Sequence, residues 1–215
     1  MMTETPDDTA ARGSPELWLQ AAREALLDGG IEAVKIQLLA KRLKLSRASF
    51  YWFFEDRDQL LQALLAQWRD RNTGSIVNRA NAYADSLAEG TLNVCDCWFD
   101  QDLFDSRFEF AVRSWALQSP EILVEVQEAD TRRIAALTAL FERFGRDSLQ
   151  AEVRARAIYL VQIGYISMQT SEDTALRMSR IAEYIQVFTG ITPEPREMNR
   201  FFSRHGFVPA KSQPV

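Results

Sequence analysis

Apolar residues recur three or four positions apart along nearly the whole chain, and nowhere do they alternate convincingly at the two-residue period of a half-buried strand. That single feature restricts the fold to helices packed on helices. Leu17, Trp18, Ala21, Ala22, Ala25 and Leu26 form one stripe. Phe108, Ala111, Val112, Trp115 and Ala116 form another, at i, i+3, i+4, i+7 and i+8. Ser14-Pro15 supplies a cap followed by a proline at the first helical position, and Gly29-Gly30 supplies a left-handed stop. Further helices are expected over roughly 35–43, 46–53, 84–98, 105–118, 148–169 and 173–189. Another starts at Asp56, whose spacing to Gln59 reads as a capping box, and runs towards residue 80 with a bend or early end at Gly74. One more runs from Ser119-Pro120 to Phe144-Gly145. Pro193 and Pro195 are expected to stop regular structure. Residues 191–215 are then a tail, either disordered or packed through Phe201, Phe202 and Phe207.

With 215 residues, 47% of them hydrophobic, the chain can bury one sizeable core or a small domain beside a larger one. Its net charge of −5 argues mildly against a polyanionic partner, although affinity depends on where the charge sits rather than on its sum. The first fourteen residues lack the apolar stretch of a signal peptide. No apolar run approaches the roughly 18–20 residues of a membrane span. The cytoplasm is the expected location, with no membrane partner. Cys95 and Cys97 with the lone His205 are too few for a zinc site. Helical i, i+2 positions point two thiols apart, so they do not form a disulfide. They read as free thiols, with redox sensing the alternative. No metal and no cofactor are expected. No Ser/His/Asp or Cys/His set and no glycine-rich phosphate loop is present, which argues against an enzyme.

Residues 35–47, KIQLLAKRLKLSR, carry Lys35, Lys41, Arg42, Lys44 and Arg47 and no acid. In an acidic chain that local excess is unusual, and it coincides with two short helices separated by a tight turn. Such a pair can be a helix-turn-helix whose second helix enters the DNA major groove, or an ordinary helical pair with a solvated basic face. The next stretch, SRASFYWFFEDRD, places five aromatics in succession, Phe50 to Phe54. A helix turns about 100° per residue, so five neighbours cannot all face one core. Phe50 and Phe54, at i and i+4, suit the core. Tyr51 falls to one side, where a phenol can hydrogen-bond a phosphate. Trp52 and Phe53 are left for the hinge with the following helix or for the nucleic-acid surface.

The stretch from about 17 to 65 resembles the DNA-binding domain of the TetR (tetracycline-repressor-like) family. The resemblance is carried by Ala21-Ala22, Gly29-Gly30 and Ile36-x-x-Leu39-Ala40, then Ser46-x-Ala48-Ser49-Phe50-Tyr51-x-x-Phe54, then Arg57-x-x-Leu60-Leu61. It implies an all-helical homodimer with a three-helix DNA-binding domain over 14–60 and a helical regulatory and dimerisation domain over 61–190, between a flexible N-terminal tail over 1–13 and a C-terminal tail over 191–215. It implies that Ser46 starts the recognition helix, that Arg47 and Ser49 face bases, and that Tyr51 and Arg57 touch the DNA backbone. Lys35 stands where the family often has a capping Ser or Thr; it can reach phosphate but cannot cap. Lys44 stands where the turn usually has glycine, so a different turn is expected there. Phe53 replaces a frequent histidine. Trp52 completes the candidate DNA face.

In the C-terminal part, the helices over 148–169 and 173–189 are candidates for a four-helix dimer interface. Ala157, Leu160, Val161, Gly164, Tyr165, Met178, Ile181 and Ile185 are the candidate contacts, with ordinary packing within one subunit as the alternative. An aromatic-rich stretch suggests an effector pocket made from Cys97, Trp98, Phe104, Phe108, Arg113 and Trp115, or simply core. Arg113 reads as solvated, and Asp130 with Arg133 as a surface ion pair. The function expected is a dimeric transcriptional regulator, a repressor released from a palindromic operator by a small molecule. The alternative is a helical adaptor that has lost specific DNA binding.

Overall fold

The computed structural model describes residues 13–208, and every regular element among them is helical. They fall into two compact units. One holds the chain up to Asp70 together with Arg107–Val126; the other holds Arg71–Ser106 and the chain from Gln127 onward. The tail expected over 1–13 lies almost wholly outside the described residues.

The first unit begins with α1 (Pro15–Gly29), α2 (Ile36–Leu43), α3 (Arg47–Phe50) and α4 (Arg57–Trp68). Ser14 caps α1 by accepting from the Leu17 N–H at 3.3 Å, and Gly30 ends it at φ 70°. Trp18, Ala21, Ala22, Ala25 and Leu26 are buried as their spacing requires. Asp56 caps α4 through the Gln59 N–H at 2.8 Å. The Gln59 side chain reaches back to the Glu55 N–H rather than to that of Asp56, so the box is offset by one residue. α7 (Ser106–Ala116) and the first turns of α8 (Pro120–Arg143) complete the unit. Trp68 donates its indole N–H to the fully buried Glu109 at 2.7 Å. Arg113 donates to the same carboxylate at 2.9 Å, so it is a structural partner and not the solvated cation expected.

The helix expected to run from 56 towards 80 is interrupted by a π turn over Arg69–Thr73, just before Gly74. Gly74 opens α5 (Gly74–Asn81) rather than ending anything. The larger unit is then built from α5, α6 (Leu87–Phe99), the rest of α8, α9 (Ser148–Ser167), α10 (Thr174–Thr189) and α11 (Pro195–Arg204). α6 sits at its centre. Leu87 and Val94 pack with Leu137, Phe141, Ala155 and Ile158, while Ala88, Leu92 and Cys95 pack with Met178, Ile181, Ile185 and Phe201. A helix buried all round loses its amphipathic signature, which is why this stretch is hard to read in sequence. A Cβ at Gly90 would come within 2.7 Å of Leu140 Cδ1, so a larger residue there would have to displace that methyl.

Two expectations fail in this unit. Pro195 does not stop regular structure; it occupies the first turn of α11, where its missing N–H is harmless. Phe201 of that helix is fully buried, and Arg204 and His205 bond the buried Asp96. Arg133 is not on the surface. It is fully buried, donating to Thr73 Oγ1 and to the Tyr159 hydroxyl at 2.9 Å each, while Tyr159 donates to Asp130 at 2.5 Å. A buried guanidinium is tolerated only when its donors are satisfied; these hydrogen bonds and the Asp130 carboxylate, 3.9 Å away, contribute to that.

Candidate nucleic-acid interface

α2 ends in a Schellman motif. The Lys44 N–H bonds Lys41 O at 3.2 Å and the Leu45 N–H bonds Ala40 O at 2.9 Å. Lys44 itself adopts the left-handed conformation, φ 57° and ψ 33°. The turn therefore keeps the geometry that glycine would give, with a lysine bearing a strain of about 1 kcal/mol. Lys35 precedes α2 in an extended conformation and, as its chemistry requires, makes no side-chain cap.

Ser46 starts α3. Its hydroxyl accepts from the Ser49 N–H at 3.1 Å. Ser49, expected to face bases, is 3% exposed, and its hydroxyl donates to Ser46 O at 2.6 Å. It closes the first turn of the helix and presents no polar group outward. Phe50 lies edge-on to Trp18 with centroids 5.2 Å apart and stacks on Phe54 at 5.4 Å. Both phenylalanines are buried, so the collar is anchored as its i, i+4 spacing predicts. Tyr51 and Trp52 are 53% and 63% exposed. α3 proper is only four residues long, followed by a turn, where the sequence suggested helix to 53.

Arg57 corrects another expectation. Its Nε donates to Val34 O at 2.6 Å and its Nη2 to Ile31 O at 3.0 Å. This guanidinium holds α4 to the 3₁₀ turn Ile31–Ala33, a structural role the sequence did not suggest. Arg42 likewise turns back to α1, where Asp28 lies at 3.1 Å. The outward cations are then Lys35, Lys41, Lys44 and Arg47, all exposed, with Gln37 and Ala48 exposed among them. Gln37 and Ala48 were missed in sequence. The signal was available, since both fall outside the apolar spacing of their helices. An exposed set of four cations, an indole and a phenol on a helix-turn-helix can neutralise phosphates and stack against sugar or base edges.

The candidate pocket residues are divided between the two units. Phe108, Arg113 and Trp115 belong to the first unit, and Cys97, Trp98 and Phe104 to the second. Phe104, Phe108, Trp115 and Cys97 are buried core. Burial pushes the Cys97 thiol up to about 12 and that of Cys95 higher still. Burial thus favours the unreactive thiol form and argues against the redox reading.

Of the candidate dimer contacts, Met178, Ile181 and Ile185 of α10 are buried against α6 and α11 of their own subunit. Leu160 and Val161 of α9 are 58% and 41% exposed. Ala157 is exposed beside them, with Gly164 and Tyr165 half-buried. Leu149, Val153 and Met168 extend this apolar stripe along α9, and Leu176 and Val187 are the exposed apolar residues of α10.

These features define a helix-turn-helix protein whose second helix is pinned from behind and cationic in front. Residues 19–64 match the model of the bacterial regulatory proteins of the tetR family. This N-terminal stretch is thus similar to that family's DNA-binding domain, and the helical fold is shared with solved structures of regulators. It is similar to Salmonella enterica GusR at 16% identity and TM-score 0.57, covering 90% of this chain and 95% of that one. A transcriptional regulator from Rhodococcus sp. Rha1 aligns at 18% identity and TM-score 0.57, over 92% and 100% of the two chains. A TetR-family regulator from Mesorhizobium loti aligns at 15% identity and TM-score 0.55, over 94% and 98%. No curated protein sequence matches the chain. No helix among the described residues is long and apolar enough to cross a membrane.

Proposed function

We propose that the protein is a dimeric, ligand-responsive transcriptional regulator that represses by occupying a palindromic operator. Residues 14–60 make the DNA contacts, and 61–190 make the dimer and the effector site. The observation that carries this reading is the two-sidedness of the segment from Ser46 to Phe54. Phe50 and Phe54 are fixed in the core while Arg47, Tyr51 and Trp52 are exposed. Arg47 suits a guanine edge and Tyr51 a phosphate; Lys35, Lys41 and Lys44 suit the flanking backbone. The aliphatic stripe of α9 supports dimerisation, because a face of that size and composition is unusual on a monomer. A two-fold pair would space two recognition helices by one turn of DNA, about 34–36 Å. The effector acts only through its different affinity for the DNA-competent and DNA-incompetent dimers.

A mobility-shift titration against the gene's own upstream region tests this. Arg47→Ala combined with Tyr51→Ala lowers operator affinity by at least about tenfold. Wild-type binding weakens with salt at a log–log slope of about −5 to −9, for three to five phosphates per half-site. Unchanged affinity in the double variant, or salt-insensitive binding, contradicts the reading.

A further inference from the structure

α6, α9 and α10 leave a cleft between them inside the larger unit, lined among others by Trp98, Phe99, Tyr165, Arg177, Arg180 and Tyr184. Its empty volume, out to the open mouth, is about 530 Å³. Most of the wall is apolar or aromatic, which suits a ring. Val161 and Tyr165 bring the cleft to the exposed stripe of α9.

Two chemical demands in this wall are unmet. Arg177 donates Nη2 to Trp98 O at 2.9 Å, and its guanidinium lies 4.6 Å from the centre of the Phe99 ring. It is thus held in place as a cation against aromatic surface, and no ion pair to it exists among the described residues. The cleft's carboxylate, Glu172, is already matched by Arg180 at 2.8 Å. The second demand is the indole N–H of Trp98, which is buried and has no hydrogen-bond partner. A half-buried cation without a counter-charge and a buried donor without an acceptor are both costly. The hydroxyls of Tyr165 and Tyr184, by contrast, bond each other at 2.8 Å.

We propose that this cleft binds a compact aromatic carboxylic acid as its carboxylate. The carboxylate supplies the charge that Arg177 lacks and the acceptor that Trp98 lacks, and the ring lies against the aromatic wall. A neutral hydrocarbon leaves both demands unmet. A cation meets two arginines against one glutamate. The inference rests on the regulator reading only for its consequence, the release of DNA; binding is measured without DNA.

The test is isothermal titration of the full chain with benzoate, set beside benzamide (ring without charge), acetate (charge without ring) and sulfate (inorganic anion). Saturable binding of benzoate is expected, with benzamide, acetate and sulfate each weaker by about tenfold or more. Arg177→Met removes the preference for benzoate over benzamide. Trp98→Phe keeps the aromatic wall and weakens benzoate by about fivefold or more. Far-ultraviolet dichroism verifies that each variant is folded, and the Trp98 variant keeps the inference testable should the Arg177 variant fail to fold. Equal affinity for benzoate and benzamide overturns the proposal, as does sulfate or acetate binding as well as benzoate. A dimer structure with a partner side chain filling the cleft overturns it too. Operator affinity in the same samples separates the two readings. DNA binding without benzoate binding sinks only this inference; benzoate binding without DNA binding sinks only the regulator.

Discussion

Two surfaces of the molecule expose hydrophobic side chains, and they do so in different company. On the short helix α3 and the turn after it, the exposed groups are Tyr51 and Trp52, with Arg47, Lys44 and Lys41 exposed nearby. Along α9 they are Leu149, Val153, Leu160, Val161 and Met168, aliphatic and without polar handles. Aromatic rings with a phenol or indole and cations around them suit a polyanion with flat bases. An aliphatic stripe on a helix offers no hydrogen bonds and is stabilised only by another apolar surface. The comparison teaches that exposure alone does not assign a partner; the neighbouring charges do.

The largest expected effect breaks the anchor behind the first surface. Phe50→Ala removes a fully buried ring that contacts Trp18 and Phe54, and lowers stability by about 3–5 kcal/mol in chemical unfolding. Trp52→Ala, one helical face away, stays within about 1 kcal/mol. Similar losses for the two would erase the distinction between inward and outward aromatics. Next in size, Leu160→Glu with Val161→Glu places charge on the aliphatic stripe. Sedimentation is expected to report a monomer, and operator affinity to fall by about a hundredfold as the half-sites lose their linkage. A double variant that remains dimeric moves the interface elsewhere.

How far these surfaces were legible in sequence follows from which physics sets them. The burial of Phe50 and Phe54 and the cap at Ser46 are local, fixed by spacing within one turn, and they stand where the sequence put them. Arg57 could not be assigned that way. The carbonyls of Ile31 and Val34 that capture Arg57 lie 26 and 23 residues back, and no local pattern announces them. Met178, Ile181 and Ile185 read as an interface because they share an apolar stripe. That stripe is consumed by α6 and α11, and α11 was hidden behind two prolines. Arg133 is the clearest case: a charged residue on a long helix reads as solvated until Thr73 and Tyr159 are brought to it by the fold.

Smaller effects sharpen the nucleic-acid side of the comparison. Arg47→Ala is expected to cost about 1–3 kcal/mol of operator binding and to relax sequence preference at one position per half-site. A loss that is uniform across sequences would make Arg47 a phosphate contact instead. Smallest of all, Lys44→Gly relieves the left-handed strain and raises stability by up to about 1 kcal/mol. It also removes a cation from each half-site, and the salt slope of DNA binding by the dimer should shrink by about 2.

The central claim is that the face of Arg47, Tyr51 and Trp52 reads duplex DNA from a two-fold dimer. Selection of bound duplexes from a random pool addresses it most directly. The account predicts enrichment of a palindrome whose half-sites are centred about one helical turn apart, and no enrichment with the Arg47→Ala, Tyr51→Ala protein. Enrichment of a single asymmetric site, or of the same sequences by the double variant, would contradict it.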